Sequence, residues 1–154
     1  MTCSPVSPQD NAPVTGWPVR SRSEAEVELL REVERRSSLH VLSPGHVVFR
    51  EGDEPKHLYL LKMGDVIFTI VSSHQTIPCF AVGAGSLLGL SAVVSGKPFA
   101  LSATASPDAE VMRIAEADFH ELIEGSAARY MAVLQLLAEE THRAHQALVD
   151  LLAS

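Results

Sequence analysis

The repeat of apolar residues along this chain changes twice. After Ser23 it is helical: Val27, Leu30 and Val33 are spaced for one helix face, Glu24 and Glu26 fall in the first turn, and Ser23 is placed as the cap. This predicts a helix from Glu24 to about Arg36, ended by Ser37 and Ser38. From Leu39 to Ile114 the pattern becomes short apolar runs punctuated by glycine. The runs are His46–Phe49, Leu58–Leu61, Val66–Val71, Cys79–Val82, Leu101–Ala105 and Val111–Ile114. Pro44-Gly45, Glu51-Gly52-Asp53, Met63-Gly64-Asp65 and Gly83-Ala84-Gly85 supply corners, since glycine takes positive φ without penalty. Short strands with a turn signal every ten residues or so predict an all-β sandwich or barrel.

The helical repeat then returns. Glu116-Ala117-Asp118 opens a short helix through Ile123, and Gly125-Ser126 separates it from a long one running from Ala127 to Leu152. Along the long helix Tyr130, Leu134, Leu137, Thr141, Ala144, Leu148 and Leu151 alternate spacings of four and three, the seam of a coiled coil, which predicts a homodimer through this helix. Val133, Leu136 and Val149 form part of a second apolar stripe, able to cover the chain's own β domain instead.

Composition narrows the function classes. The net charge of −7 supplies no basic footprint for a nucleic-acid backbone, so no direct nucleic-acid binding is expected. Residues 1–21 are rich in Pro and Ser and poor in large apolar side chains, which predicts a flexible tail ahead of one domain over 22–154. No signal-peptide pattern opens the chain, no apolar run is long enough to span a membrane, and Cys3 and Cys79 stand alone. Together these predict a cytoplasmic protein without a membrane partner.

The segments Pro44-Gly45-His46-Val47-Val48-Phe49-Arg50-Glu51-Gly52-Asp53, Leu58-Tyr59-Leu60-Leu61, Gly64-Asp65-Val66 and Gly85-Ser86-Leu87-Leu88-Gly89, taken in order, resemble the cyclic-nucleotide-binding domain family of the catabolite-activator and kinase-regulatory-subunit type. The resemblance covers roughly Leu39 to Ile123. It implies a mainly β fold with flanking α, an eight-stranded jelly-roll barrel with an N-terminal helix and a long C-terminal helix over the ligand pocket. It also implies a ligand segment from Gly89 to Ala103, where a Glu after the glycine accepts from the ribose hydroxyl and an Arg, followed by a small hydroxyl residue, neutralises the cyclic phosphate.

Here the Glu position is Leu90, the Arg position falls at or near Phe99, and the hydroxyl position at or near Ala100. Losing two charge-assisted contacts is worth about two to four decades of affinity. The expected site is therefore a degenerate pocket of Leu88, Gly89, Leu90, Lys97, Phe99, Ala100 and Leu101, with Val93 beside them, either refilled as core or serving a small apolar effector. Lys97 is a possible phosphate contact but is placed in a solvated Gly96-Lys97-Pro98 turn.

Catalytic chemistry is sparse. A cupin-type metalloenzyme needs converging histidines and a carboxylate, whereas His40, His46, His57 and His74 are widely spaced and read as surface or strand-edge residues. His142 and His145 share a helix face, where pairing of two chains could bring four together, or they are solvated. No catalytic residue, metal or cofactor is expected, a cyclic nucleotide held in an atypical way being the alternative. The chain stops at Ser154 without a helix-turn-helix, so operator binding is not expected. The function expected is a non-enzymatic regulatory module acting through an unidentified protein partner; a small-ligand sensor is the second reading and a cupin-like metalloenzyme the third.

Overall fold

The computed structural model describes residues 22–42 and 45–153; the tail expected over 1–21 lies outside the described residues, as does Pro44. Helix α1, Glu24–Arg36, begins with a capping box. The Ser23 hydroxyl accepts from the Glu26 amide at 3.1 Å while the Glu26 carboxylate accepts from the Ser23 amide at 2.9 Å, satisfying two of the donors a helix start leaves open. The face α1 buries is Glu26, Leu29 and Val33. The stripe predicted through Val27 and Leu30 is rotated away from this face, because Leu29 and Val33, four apart, meet the neighbouring helices, whereas Val27 is exposed and Leu30 borders a groove beside Leu60 and Leu61.

Eight strands follow: β1 Ser38–His40, β2 Val47–Phe49, β3 His57–Met63, β4 Asp65–Ser72, β5 Gln75–Gly83, β6 Leu87–Leu88, β7 Ser102–Ala105 and β8 Glu110–Ala115. Helix α2, Leu90–Ser95, lies between β6 and β7, and α3, Glu116–Ile123, and α4, Ala127–Ala153, close the chain. The strands form two four-stranded sheets, ordered β1-β8-β3-β6 and β2-β7-β4-β5, with antiparallel pairing throughout. The eight-stranded jelly roll expected from sequence is built as two stacked sheets and does not close into a barrel. Strands β1, β2 and β6 are only two or three residues long, too short to carry a ladder from one sheet to the other.

Two cores result. Between the sheets lie Val48, Phe49, Tyr59, Leu61, Val66, Phe68, Leu88 and Phe99. On the other side of the β1-β8-β3-β6 sheet, Leu58 and Ile114 meet Leu29, Val33, Phe119, Leu122, Val133 and Leu136 from the helices. Strand β3 is covered on both faces, which is why its apolar run Leu58-Tyr59-Leu60-Leu61 does not alternate. At the 27 residues of α4, about 40 Å long, the last helix reaches from α1 past α2 to β5.

Candidate functional site

A cavity of about 220 Å³ opens between the sandwich core, α2 and α4. Phe49, Phe68, Phe80 and Phe99 supply aromatic surface, and Gly89 with Ala92 the side toward α2. Phe99 is the organising residue. Its ring stacks on Phe49 with centroids 3.9 Å apart and an interplanar angle of 11°. Its backbone is held by the turn after β2: the Phe99 amide donates to the Asp53 carbonyl at 3.0 Å, and its carbonyl accepts from the Gly52 amide at 2.8 Å. Gly89, at φ +84°, passes so close to the Phe99 ring that a Cβ there would come within 2.6 Å of Cε1. Only glycine satisfies both the backbone sign and the contact.

The residues singled out from sequence separate in space. Gly89, Phe99, Ala100 and Leu101 line the cavity together. Leu88 instead points into the inter-sheet core, and Leu90 and Val93 belong to the helical core, because alternation along β6 and the first turn of α2 turns them away. Lys97 is exposed and does not border the cavity. Phe99 and Leu90 are both buried, but in different cores. Phe99 occupies one wall, Leu90 none, and open volume remains.

Sequence reasoning missed the charged groups. Val133, Leu136, Glu140, Arg143 and Ala147 follow one another at helical spacing on the face α4 turns toward the domain; Val133, Leu136 and Ala147 are buried, and Glu140 and Arg143 border the cavity. Glu140 Oε1 accepts from the Ser91 amide at 3.2 Å. Burial pushes the Glu140 carboxyl above its ordinary range, opposed by the Ser91 bonds and the Arg143 charge. Burial likewise lowers the Arg143 guanidinium, opposed by Glu139 and Glu140. Arg143 makes no hydrogen bond and has no carboxylate within 4 Å among the described residues.

The outer face of α4 carries the seam. Tyr130, Leu134, Leu148 and Leu151 are exposed, and Thr141 and Ala144 stand at the cavity's mouth. Leu137 is half-buried against the helical core. Of the second stripe, Val133 and Leu136 are buried and Val149 is 43% exposed.

His40, His46, His57 and His74 do not border the cavity. His40 and His57 flank Tyr59, ring centroids at 5.1 and 6.2 Å, at one end of the sandwich. Burial, with Arg113 nearby, lowers both imidazoles. His46, directly before β2, and His74, in the turn between β4 and β5, take positive φ. No group of three His, Cys, Asp or Glu side chains able to hold a metal occurs among the described residues, and none of their helices is long and apolar enough to cross a membrane.

Comparison with known proteins agrees with this geometry. A family model described as "Cyclic nucleotide-binding domain" matches residues 39–126, more than half of the chain. The human "Patatin-like phospholipase domain-containing protein 6" is 25% identical over 105 residues, 67% of this chain; the chain spans only 8% of that relative's length. Among solved structures, the catabolite activator protein of Thermus thermophilus superposes with a TM-score of 0.66 at 25% identity, over 85% of this chain and 60% of that one. A cyclic nucleotide-binding domain from Methylobacillus flagellatus gives 0.67 at 19% identity, over 80% and 72% respectively, a likeness of fold.

Proposed function

The chain belongs to the cyclic nucleotide-binding domain family, and from that premise we propose that it is a non-enzymatic regulatory module whose response to cyclic AMP and cyclic GMP has been lost or reassigned. The family fold makes it a regulatory or sensor module; the loss of the nucleotide response rests on Phe99. At or near the position where the family resemblance calls for an arginine stands an aromatic ring, 5% exposed, stacked on Phe49 and pressed against Gly89. A cyclic phosphate brought there would meet hydrocarbon, and an uncompensated buried charge is costly. Output runs through α4, whose exposed Leu134, Leu148 and Leu151 suit a second copy of the chain, and whose far end suits a protein partner.

Titration with cyclic AMP and cyclic GMP, followed by the melting temperature, tests this. Millimolar nucleotide leaves the transition in place if the reading is right. A saturable rise with a micromolar midpoint refutes it, since a ligand at a hundred times its Kd stabilises by about 2.7 kcal/mol.

A second reading, that the module senses another small ligand, is favoured by one observation: the cavity beside Phe99 stays open and contains an arginine.

A further inference from the structure

We propose that the cavity under α4 binds a small aromatic carboxylate, its ring among the phenylalanines and its carboxylate paired with Arg143. This rests on the reading that cyclic nucleotides are no longer the effector.

Three observations carry it. The first is size: a cavity of about 150 Å³ holds a single benzene ring, so 220 Å³ takes one ring and a short side chain. The second is the wall. Phe49, Phe68, Phe80 and Phe99 converge on one space, a surface that favours a planar apolar body. The third is the charge. Arg143 presents its planar fork of donors at the rim with none of them used among the described residues, and a carboxylate matches that fork in a bidentate pair.

Glu140 decides the sign of the ligand's charge. One of its oxygens already accepts from the Ser91 amide, whereas no donor of Arg143 is used among the described residues, so the larger open valence of the site is cationic. Burial also favours the protonated form of Glu140, which reduces its repulsion of an incoming anion. The charged contact comes from α4 and not from the segment between Gly89 and Ala103, so the ligand's carboxylate is held by the same helix that carries the exposed seam. Thr141 and Ala144 at the mouth place the occupied cavity next to that seam.

The test uses the chain described here, with 3-phenylpropionate, its neutral amide 3-phenylpropionamide, and cyclic AMP as probes, read by calorimetry and melting temperature. Phenylpropionate should bind saturably and the amide at least tenfold more weakly. Arg143→Gln should weaken phenylpropionate ten- to a hundredfold and leave the amide unchanged. Equal affinity of acid and amide, no binding of the acid at millimolar concentration, or full retention by Arg143→Gln overturns the proposal. Should Arg143→Gln not fold, the acid-to-amide ratio on the unaltered chain decides alone. Micromolar binding of cyclic AMP would instead overturn the preceding reading, an outcome separable from the fate of the acid.

Discussion

The two halves of α4 do different work. From Ala127 to Glu139 the helix is fixed to α1. Arg129 donates to both carboxylate oxygens of Glu28 at 3.1 and 3.0 Å and to the Leu122 carbonyl at 3.0 Å. Arg22 reaches Glu139 at 3.0 Å, and Ala132, Val133 and Leu136 are buried beneath. From Glu140 to Ala153 only Ala147 is buried, Glu140 and Arg143 border a cavity without pairing to each other, and Leu148, Val149, Leu151 and Leu152 are exposed. Local stability follows apolar burial, so the first half is scaffold and the second is the part able to respond. A helix with such a division can transmit the state of the cavity to whatever covers its far end.

The widest gap between the halves should appear on truncating one leucine in each. Leu136→Ala removes a 7% exposed side chain from the helical core and should cost about 2–4 kcal/mol in urea-induced unfolding. Leu148→Ala, at 54% exposure, should cost under about 0.5 kcal/mol at a concentration where the chain is monomeric. Equal costs would mean that the distal half is packed as firmly as the proximal one.

Much of the fold was legible in the sequence, and what escaped has physical causes. The Ser23 cap of α1, the long apolar strands and the extent of α4 follow from local spacing. Strands β1 and β6 are too short to carry a periodic signal, and whether two sheets close or stack depends on pairings between distant residues. Glu140 and Arg143 looked like any solvated helix positions. Their signal was that they continue the Val133, Leu136 stripe toward Ala147, which puts charges where the helix should be apolar. A charge on an inward face is the informative kind of exception.

Association should respond next most strongly. The seam read from sequence passes through Leu137, which packs on the helical core, so a charge there would unfold as well as dissociate. Leu134 and Leu148 are exposed and separate the two effects. Leu134→Glu with Leu148→Glu should leave a folded chain by circular dichroism and weaken any dimer at least a hundredfold in sedimentation, because like charges meet across a two-fold axis. A parent chain that sediments as a monomer at micromolar concentration would remove the dimer from the picture and leave the seam for another partner.

A smaller effect is expected at the clamp. Arg129→Ala removes the bidentate pair with Glu28 and the bond to Leu122, on a side chain partly open to solvent, so the loss should be about 0.5–1.5 kcal/mol after screening. Hydrogen exchange should then quicken in the first half of α4 and little in the sandwich. Unchanged exchange would mean that apolar packing alone holds the scaffold half.

The smallest effect, and the one most diagnostic of the distal half, concerns Glu140. Its carboxyl is held above the ordinary value of 4.5, chiefly by burial. The folded chain therefore holds that proton more tightly than the unfolded chain. Stability should decline as pH rises from the ordinary carboxylate range through the raised value, with the penalty fully present above it. Glu140→Gln keeps an oxygen to accept from the Ser91 amide and removes the charge, while Arg143 retains the field of Glu139. At pH 7.5 the variant should be more stable than the parent by up to about 1 kcal/mol, a rise of some 2–4 °C in Tm for a chain of this size. Below the ordinary carboxylate range both side chains are neutral and the difference should close. If the variant is instead the less stable at pH 7.5, the Glu140 to Ser91 contact outweighs the cost of burying the charge. The distal half would then be latched to α2 in its resting state, and a ligand at Arg143 would have to work against that latch.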